Sequence, residues 1–214
     1  MKNSIQSTIV LALLATLLLA QGIDYSHLPE RSREQIIQTA RQYSEHAWTC
    51  GANNQEAKCV TAATYQCKFK PGDTITGIAY DWGGFDSPEE FDRKLAAGQA
   101  AGSHSKEGIT NCTTGIDCSG FVMRCWGIDT DNPRYTTSTI RSIAPRPKYI
   151  WYTEMQPGDA LVKPGSHIVL FAGYSPANEP MVYEASGSAS RVIFQVCSWG
   201  RFRDYYPLVY RGVK

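Results

Sequence analysis

The stretch GIDCSGFVMRCWGI, residues 115–128, carries two cysteines seven positions apart, Cys118 and Cys125, in a run that otherwise resembles the start of an amphipathic helix. From Ser119 onward Phe121, Val122, Cys125 and Trp126 form an apolar stripe at helical spacing, so a helix is expected to begin at or just before Cys118 and to stop at Gly127. A cysteine attacks as its thiolate, and a helix N-terminus and a neighbouring imidazolium are the usual means of stabilising that charge. Position gives Cys118 the first of these. The second has to come from elsewhere in the chain.

Four histidines are available: His27, His46, His104 and His167. A lone histidine is more often structural than catalytic. His46 falls within a helical pattern and His104 in a Gly/Ser segment, whereas His167 opens the apolar run IVLFAGY straight after a turn, at the mouth of a strand whose remainder should be buried. That is where a base would have to stand. A base must in turn be oriented by a third polar group. Glu184 in VYEASGS interrupts the next apolar strand, and an antiparallel neighbour would bring its carboxylate beside the imidazole; an exposed strand glutamate is the other reading.

Away from this region the pattern falls into two halves. Ser32 with Gln35 reads as a capping box, followed by Ile36, Ile37, Ala40, Tyr43 and Ala47 at helical spacing, and Ser87 caps PEEFDRKLAAGQ with its acidic first turn. Residues 48–71, holding three cysteines, read as an inserted, disulfide-stapled loop with room for one short strand or helical turn, and the Gly/Ser/Thr-rich residues 100–115 read as loop. After residue 130 the period changes. Strands are expected at 160–162, 167–172, 181–185, 191–197 and 206–211, with turns such as Pro157-Gly158-Asp159 between them. Helices first and sequential strands afterwards predict an α+β domain with an antiparallel sheet.

The chain has 214 residues, 43% of them hydrophobic, enough for one sizeable core. Its net charge of +1 and scattered lysines and arginines give no footprint for neutralising many phosphates, so nucleic acid is not an expected partner. Residues 1–20 read as a secretory signal: Lys2, then a run from Ile9 to Ala20 that is apolar apart from Thr16. A membrane anchor would need roughly 20 apolar residues. Residues 21–214 are then expected as one domain, secreted or periplasmic, with no stable membrane insertion once the signal is cleaved.

In such a compartment thiols tend to pair. The seven cysteines, Cys50, Cys59, Cys67, Cys112, Cys118, Cys125 and Cys197, are odd in number, so at least one stays unpaired or bridges to another molecule. If Cys118 is that thiol, six remain for three bridges. Cys125, almost two turns further along the same helix face, reads either as a bridge half or as a buried thiol. No metal or other cofactor is expected, because the Cys and His spacings lack the paired ligands of a zinc site.

GIDCSGFV resembles the nucleophile motif of the NlpC-type cell-wall cysteine peptidases, a papain-like family whose cysteine sits at a helix N-terminus facing a sheet. The likeness continues in order through REQIIQTARQY, YDWGG, NPRYTTST, MQPGDALV and SHIVLFAGY with VYEAS, and 49 residues separate Cys118 from His167. It covers most of residues 34–186, interrupted by a Cys-rich insertion at about 50–72 and a second at about 85–113. The resemblance implies a papain-like α+β fold, Cys118 as nucleophile and His167 as base. It also implies that Tyr80 helps shape the oxyanion site and that Asp117 and Ser119 contact the free amine end of a peptide stem.

At the third catalytic position the family commonly has His, Asn or Gln, and this chain has Glu184 after a longer turn, which makes the CHAP amidases the neighbouring reading. The expected activity is cleavage of an amide bond in peptidoglycan peptides. The alternatives are an amidase or acyltransferase on the same fold and a disulfide-rich cell-wall binding module. The expected partner is the peptidoglycan peptide, with an inhibitor or immunity protein as a further one. The two insertions are expected to narrow the substrate groove.

Overall fold

The computed structural model of the chain describes residues 25–59, 68–103, 109–129, 133–145 and 152–214. The signal segment, Cys67 and His104 lie outside them. Helix α1, Arg33–Glu45, begins with the expected capping box: the Ser32 hydroxyl accepts from the Gln35 N–H and the Gln35 side chain accepts from the Ser32 N–H. It buries Ile36, Ala40, Tyr43 and Ser44. The stripe does not extend to Ala47. There the chain leaves the helix at His46, whose carbonyl accepts the Gly77 N–H, and β1, Ala47–Thr49, pairs antiparallel with β2, Thr74–Thr76. Trp48 is thereby buried, with its indole N–H donating to the Gly77 carbonyl.

Helix α2, Pro88–Ala96, carries a second capping box between Ser87 and Glu90 and acidic residues in its first turn. It ends before Gly98, whose φ of +79° stops the helical run. The segment expected as loop holds a short parallel pair, β3 (Ala100–Ala101) with β4 (Thr113–Thr114). Helix α3, Cys118–Cys125, buries every residue but Arg124. Gly127, with φ +80°, lies just past its end, as the sequence predicts.

Five strands follow: β5 (Ala160–Lys163), β6 (His167–Tyr174), β7 (Pro180–Ser186), β8 (Arg191–Val196) and β9 (Tyr206–Leu208). They form one sheet in the order β8-β7-β6-β5-β9 with every neighbouring pair antiparallel. The fold class is therefore α+β, with a cysteine at a helix N-terminus packed on an antiparallel sheet. Alternation along the strands divides the core. Ile168, Leu170, Tyr183 and Ala185 pack with Phe121, Val122 and Cys125 of α3, while Val169, Phe171 and Val182 pack with Met155 and Phe202 on the other face.

Among the described residues a disulfide, Cys59–Cys112, joins the two insertions. Of the two readings of Cys125 the buried thiol holds: it is free and fully buried in the core, and burial raises its pKa well above that of an ordinary thiol, so it stays protonated and inert. With Cys125 and Cys197 both free, the expectation of three bridges around a free Cys118 is corrected. Cys197 is free and half-buried, its sulfur accepting a hydrogen bond from Arg201 at 3.0 Å.

Candidate active site

Cys118 is the first residue of α3. The helix starts there because Asp117 caps it, accepting the Gly120 N–H on Oδ1 at 2.6 Å. The turn before it is held by two segments far apart in sequence: the Tyr80 backbone bridges to Ile116, and the Ile116 N–H donates to the Ala79 carbonyl. Gly115 permits this approach, since a Cβ there would lie 2.3 Å from the Ala79 carbonyl oxygen and its φ is +149°. YDWGG and GIDC are thus docked side by side, and Tyr80 is 7% exposed beside the thiol.

His167 is the first residue of β6, so its ring sits at the end of the sheet. By strand alternation Glu184 of β7 lies on the same face and, given the pairing of Leu170 with Tyr183, one step diagonally along from His167. Its Oε2 is 2.7 Å from His167 Nε2. That contact leaves Nδ1 on the other edge of the ring, and Cys118 lies close enough for its charge to act on the imidazole. Burial would push His167 down, but the hydrogen bonds and negative charges of Cys118 and Glu184 outweigh it and hold the imidazole at about 9. At neutral pH the ring is an imidazolium.

Glu184 is 1% exposed, so its charge needs compensation inside the protein. Arg201, from the short helical turn Trp199–Phe202, supplies it with a two-pronged pair: Nη1 to Oε1 at 2.7 Å and Nη2 to Oε2 at 2.8 Å. The amide of Gln195, on β8, also donates to Oε1. Burial raises the Glu184 carboxyl, yet the hydrogen bonds from His167 and Arg201 dominate and hold it at about 2. Neither Arg201 nor Gln195 is singled out by the sequence reading. The signal for them is the buried carboxylate, which demands a cation, and the period of two that puts Gln195 on the face of Glu184 once β8 is paired.

Asp117 and Ser119 both line the cleft in front of Cys118, a cavity of about 430 Å³. Their side chains are already engaged. The Ser119 hydroxyl donates to Asp117 Oδ1 at 3.0 Å, and Arg134 donates to Oδ2 at 2.8 Å while also reaching the carbonyls of Gly83 and Gly84. Arg134 therefore ties the Pro-Arg segment, the glycine turn and the α3 cap together. A substrate amine reaching Asp117 would share its carboxylate with Arg134. The other two described histidines are remote from this chemistry: His27 is exposed, and His46 contacts Asp92 at 2.7 Å.

Burial, the Cys118 charge and the neighbouring carboxylates all push the Tyr80 phenol up, so it remains a proton donor at any physiological pH. Asp81, next along, is pushed up to about 7, first by burial and then by Asp86 and Asp117, with Thr113 and Lys94 opposing. The Thr113 hydroxyl lies 2.9 and 3.0 Å from the two Asp81 oxygens and 2.8 Å from the Thr110 carbonyl, and its one proton is shared among these acceptors.

No family model matches the chain, and no curated protein matches it. Among solved structures the chain is similar to the P60 domain of an antigen from M. avium subspecies paratuberculosis, at 17% identity over 85% of this chain and 95% of that one, with a TM-score of 0.40. Those values are too low to bear on activity.

Proposed function

We propose that this chain is a secreted cysteine hydrolase that cleaves an amide bond in the stem peptides of peptidoglycan, in the manner of the NlpC-type peptidases its motifs resemble. The observation that carries the reading is the group Cys118, His167, Glu184: a thiol at a helix N-terminus, beside an imidazole whose Nε2 a buried carboxylate holds at 2.7 Å. The cleft before it and the six motif segments in order support the peptide substrate. The disulfide, and the lack of any helix among the described residues long and apolar enough to cross a membrane, fit a secreted protein.

The chemistry follows from the arrangement. The Cys118 thiolate attacks the scissile carbonyl carbon, and the developing oxyanion is met by N–H groups of the first turn of α3 and by the Tyr80 hydroxyl. His167 gives its proton to the amide nitrogen, the C–N bond breaks, and the amine leaves behind a thioester on Cys118. Water then attacks the thioester carbonyl while His167 takes its proton. Collapse of that second intermediate expels the thiolate, releases the acid and restores the ion pair.

Purified peptidoglycan and free stem peptides test the reading. Wild-type protein is expected to release new amines, with mass spectrometry of the fragments giving the bond, and Cys118→Ala none. Stem-peptide binding by the wild type without release would replace the enzyme with a binding module.

A further inference from the structure

We propose that Trp82 and Ile109 form an apolar subsite at the mouth of the cleft that takes an uncharged aliphatic or aromatic side chain on a residue flanking the scissile amide. The proposal rests on the Cys118 hydrolase reading, and in a stem peptide it favours a scissile bond beside an alanine over one flanked by two charged residues. Among the described residues four large apolar side chains are strongly exposed. Phe194 and Val196 lie on the outer strand β8; Trp82, 49% exposed, and Ile109, 65% exposed, both line the cavity that holds Cys118. Surface of this kind beside a nucleophile favours an apolar group in the ligand.

The pair is built rather than incidental. Ile109 rests on the backbone of Gly83, where a Cβ would lie 2.4 Å from its Cγ1, so the glycine next to Trp82 leaves room for the isoleucine. Both residues hang from Ser103: its carbonyl accepts the Trp82 N–H at 2.9 Å, and its hydroxyl is 3.3 Å from that of Thr110, the buried neighbour of Ile109. The Thr110 carbonyl accepts from Thr113, and Cys112 between them is bridged to Cys59. The second insertion thus brings an apolar residue to a cleft otherwise shaped by the motif segments.

The rest of the lining contrasts with this lip. Its charged members, Asp117 and Arg134, neutralise each other at 2.8 Å, and Thr136, Thr137 and Ser166 are small and polar. No net charge is offered to a charged flanking group. Discrimination between flanking residues therefore falls to the lip, and one well-placed apolar side chain is expected to change reactivity by about tenfold.

Alkylation of Cys118 tests this without requiring turnover. Peptidyl chloromethyl ketones carry Leu or Gly on the acyl side, and chloroacetyl peptides carry Leu or Gly on the amine side. Iodoacetamide serves as the control for thiol reactivity. In at least one series the Leu compound should react about tenfold faster than its Gly counterpart, and Ile109→Ser and Trp82→Ala should bring that ratio toward one. Equal rates for Leu and Gly in both series, or a ratio unmoved by either variant, would overturn the subsite. If Cys118 resists iodoacetamide itself, the hydrolase reading fails. The subsite is then judged by calorimetric binding of Leu and Gly peptides to Cys118→Ala, where equal affinity overturns it and a Leu preference lost in Ile109→Ser supports it.

Discussion

Glu184 helps to set the charge state of the site. It holds His167 from behind while Arg201 and Gln195 hold Glu184, and together with Cys118 it keeps the imidazolium to about pH 9 although burial opposes it. Hydrolysis needs that proton for the leaving amine, whereas alkylation of the thiol does not. Accordingly kcat/KM on an amide substrate should fall as pH rises through about 9, and iodoacetamide labelling should not fall with it. Glu184→Gln removes one of the two negative partners of His167 and should move the falling limb to lower pH; a limb that stays in place would remove Glu184 from this role. Arg201→Met strands a buried carboxylate. With Arg201 a third exposed, the loss of stability is expected to be roughly 2–3 kcal/mol, read by urea unfolding. The low-pH limb should also move upward, because Glu184 loses a partner that keeps it near 2.

Among the elements, the helix starts and the sheet were legible because their signals are local. Capping boxes at Ser32 and Ser87, the stripe in α3 and the five apolar runs each sit within a few residues. The pairs β1–β2 and β3–β4 were not, since each is two or three residues long and joins segments far apart in sequence. Arg201 escaped for a related reason: it lies 34 positions from His167 in a segment with no periodic pattern. Cys118, His167 and Glu184, proposed as nucleophile, base and third residue, were singled out from position and motif order, whereas the partners of Asp117 depended on a tertiary contact with Arg134. The Cys59–Cys112 bridge spans 53 residues, and by chain entropy its removal in a Cys59→Ser, Cys112→Ser variant should lower stability by up to about 4 kcal/mol. Denaturant midpoints of that variant against wild type measure it. Since the bridge lies outside the catalytic line, Cys118 should remain reactive in the variant, and loss of reactivity without unfolding would show that the insertions support the site itself.

Across the whole molecule stability depends on groups that respond to pH in opposite directions. Asp81 holds its proton up to about pH 7 when folded and to about 4 when unfolded, so its contribution to stability falls as pH rises through that window. Glu184 is depressed: its contribution is present above the ordinary carboxylate range and is lost as pH falls toward 2. His167, raised from 6.5, contributes fully below that pH and loses its share as pH rises through 9. Asp81→Asn should therefore flatten the decline between pH 4 and 7, as measured by unfolding free energy across that range. An unchanged slope would mean that Asp81 titrates alike in both states.

Covalent catalysis by Cys118 would leave an acyl group on the thiol that acid quenching during turnover can trap. Wild-type protein mixed with a peptide that it cleaves, quenched within the first turnovers and examined by intact mass, should gain the mass of the acyl fragment on the peptide containing Cys118, with hydroxylamine removing it. Cleavage that proceeds with no adduct on Cys118, or that survives in Cys118→Ala, would exclude Cys118 as the nucleophile.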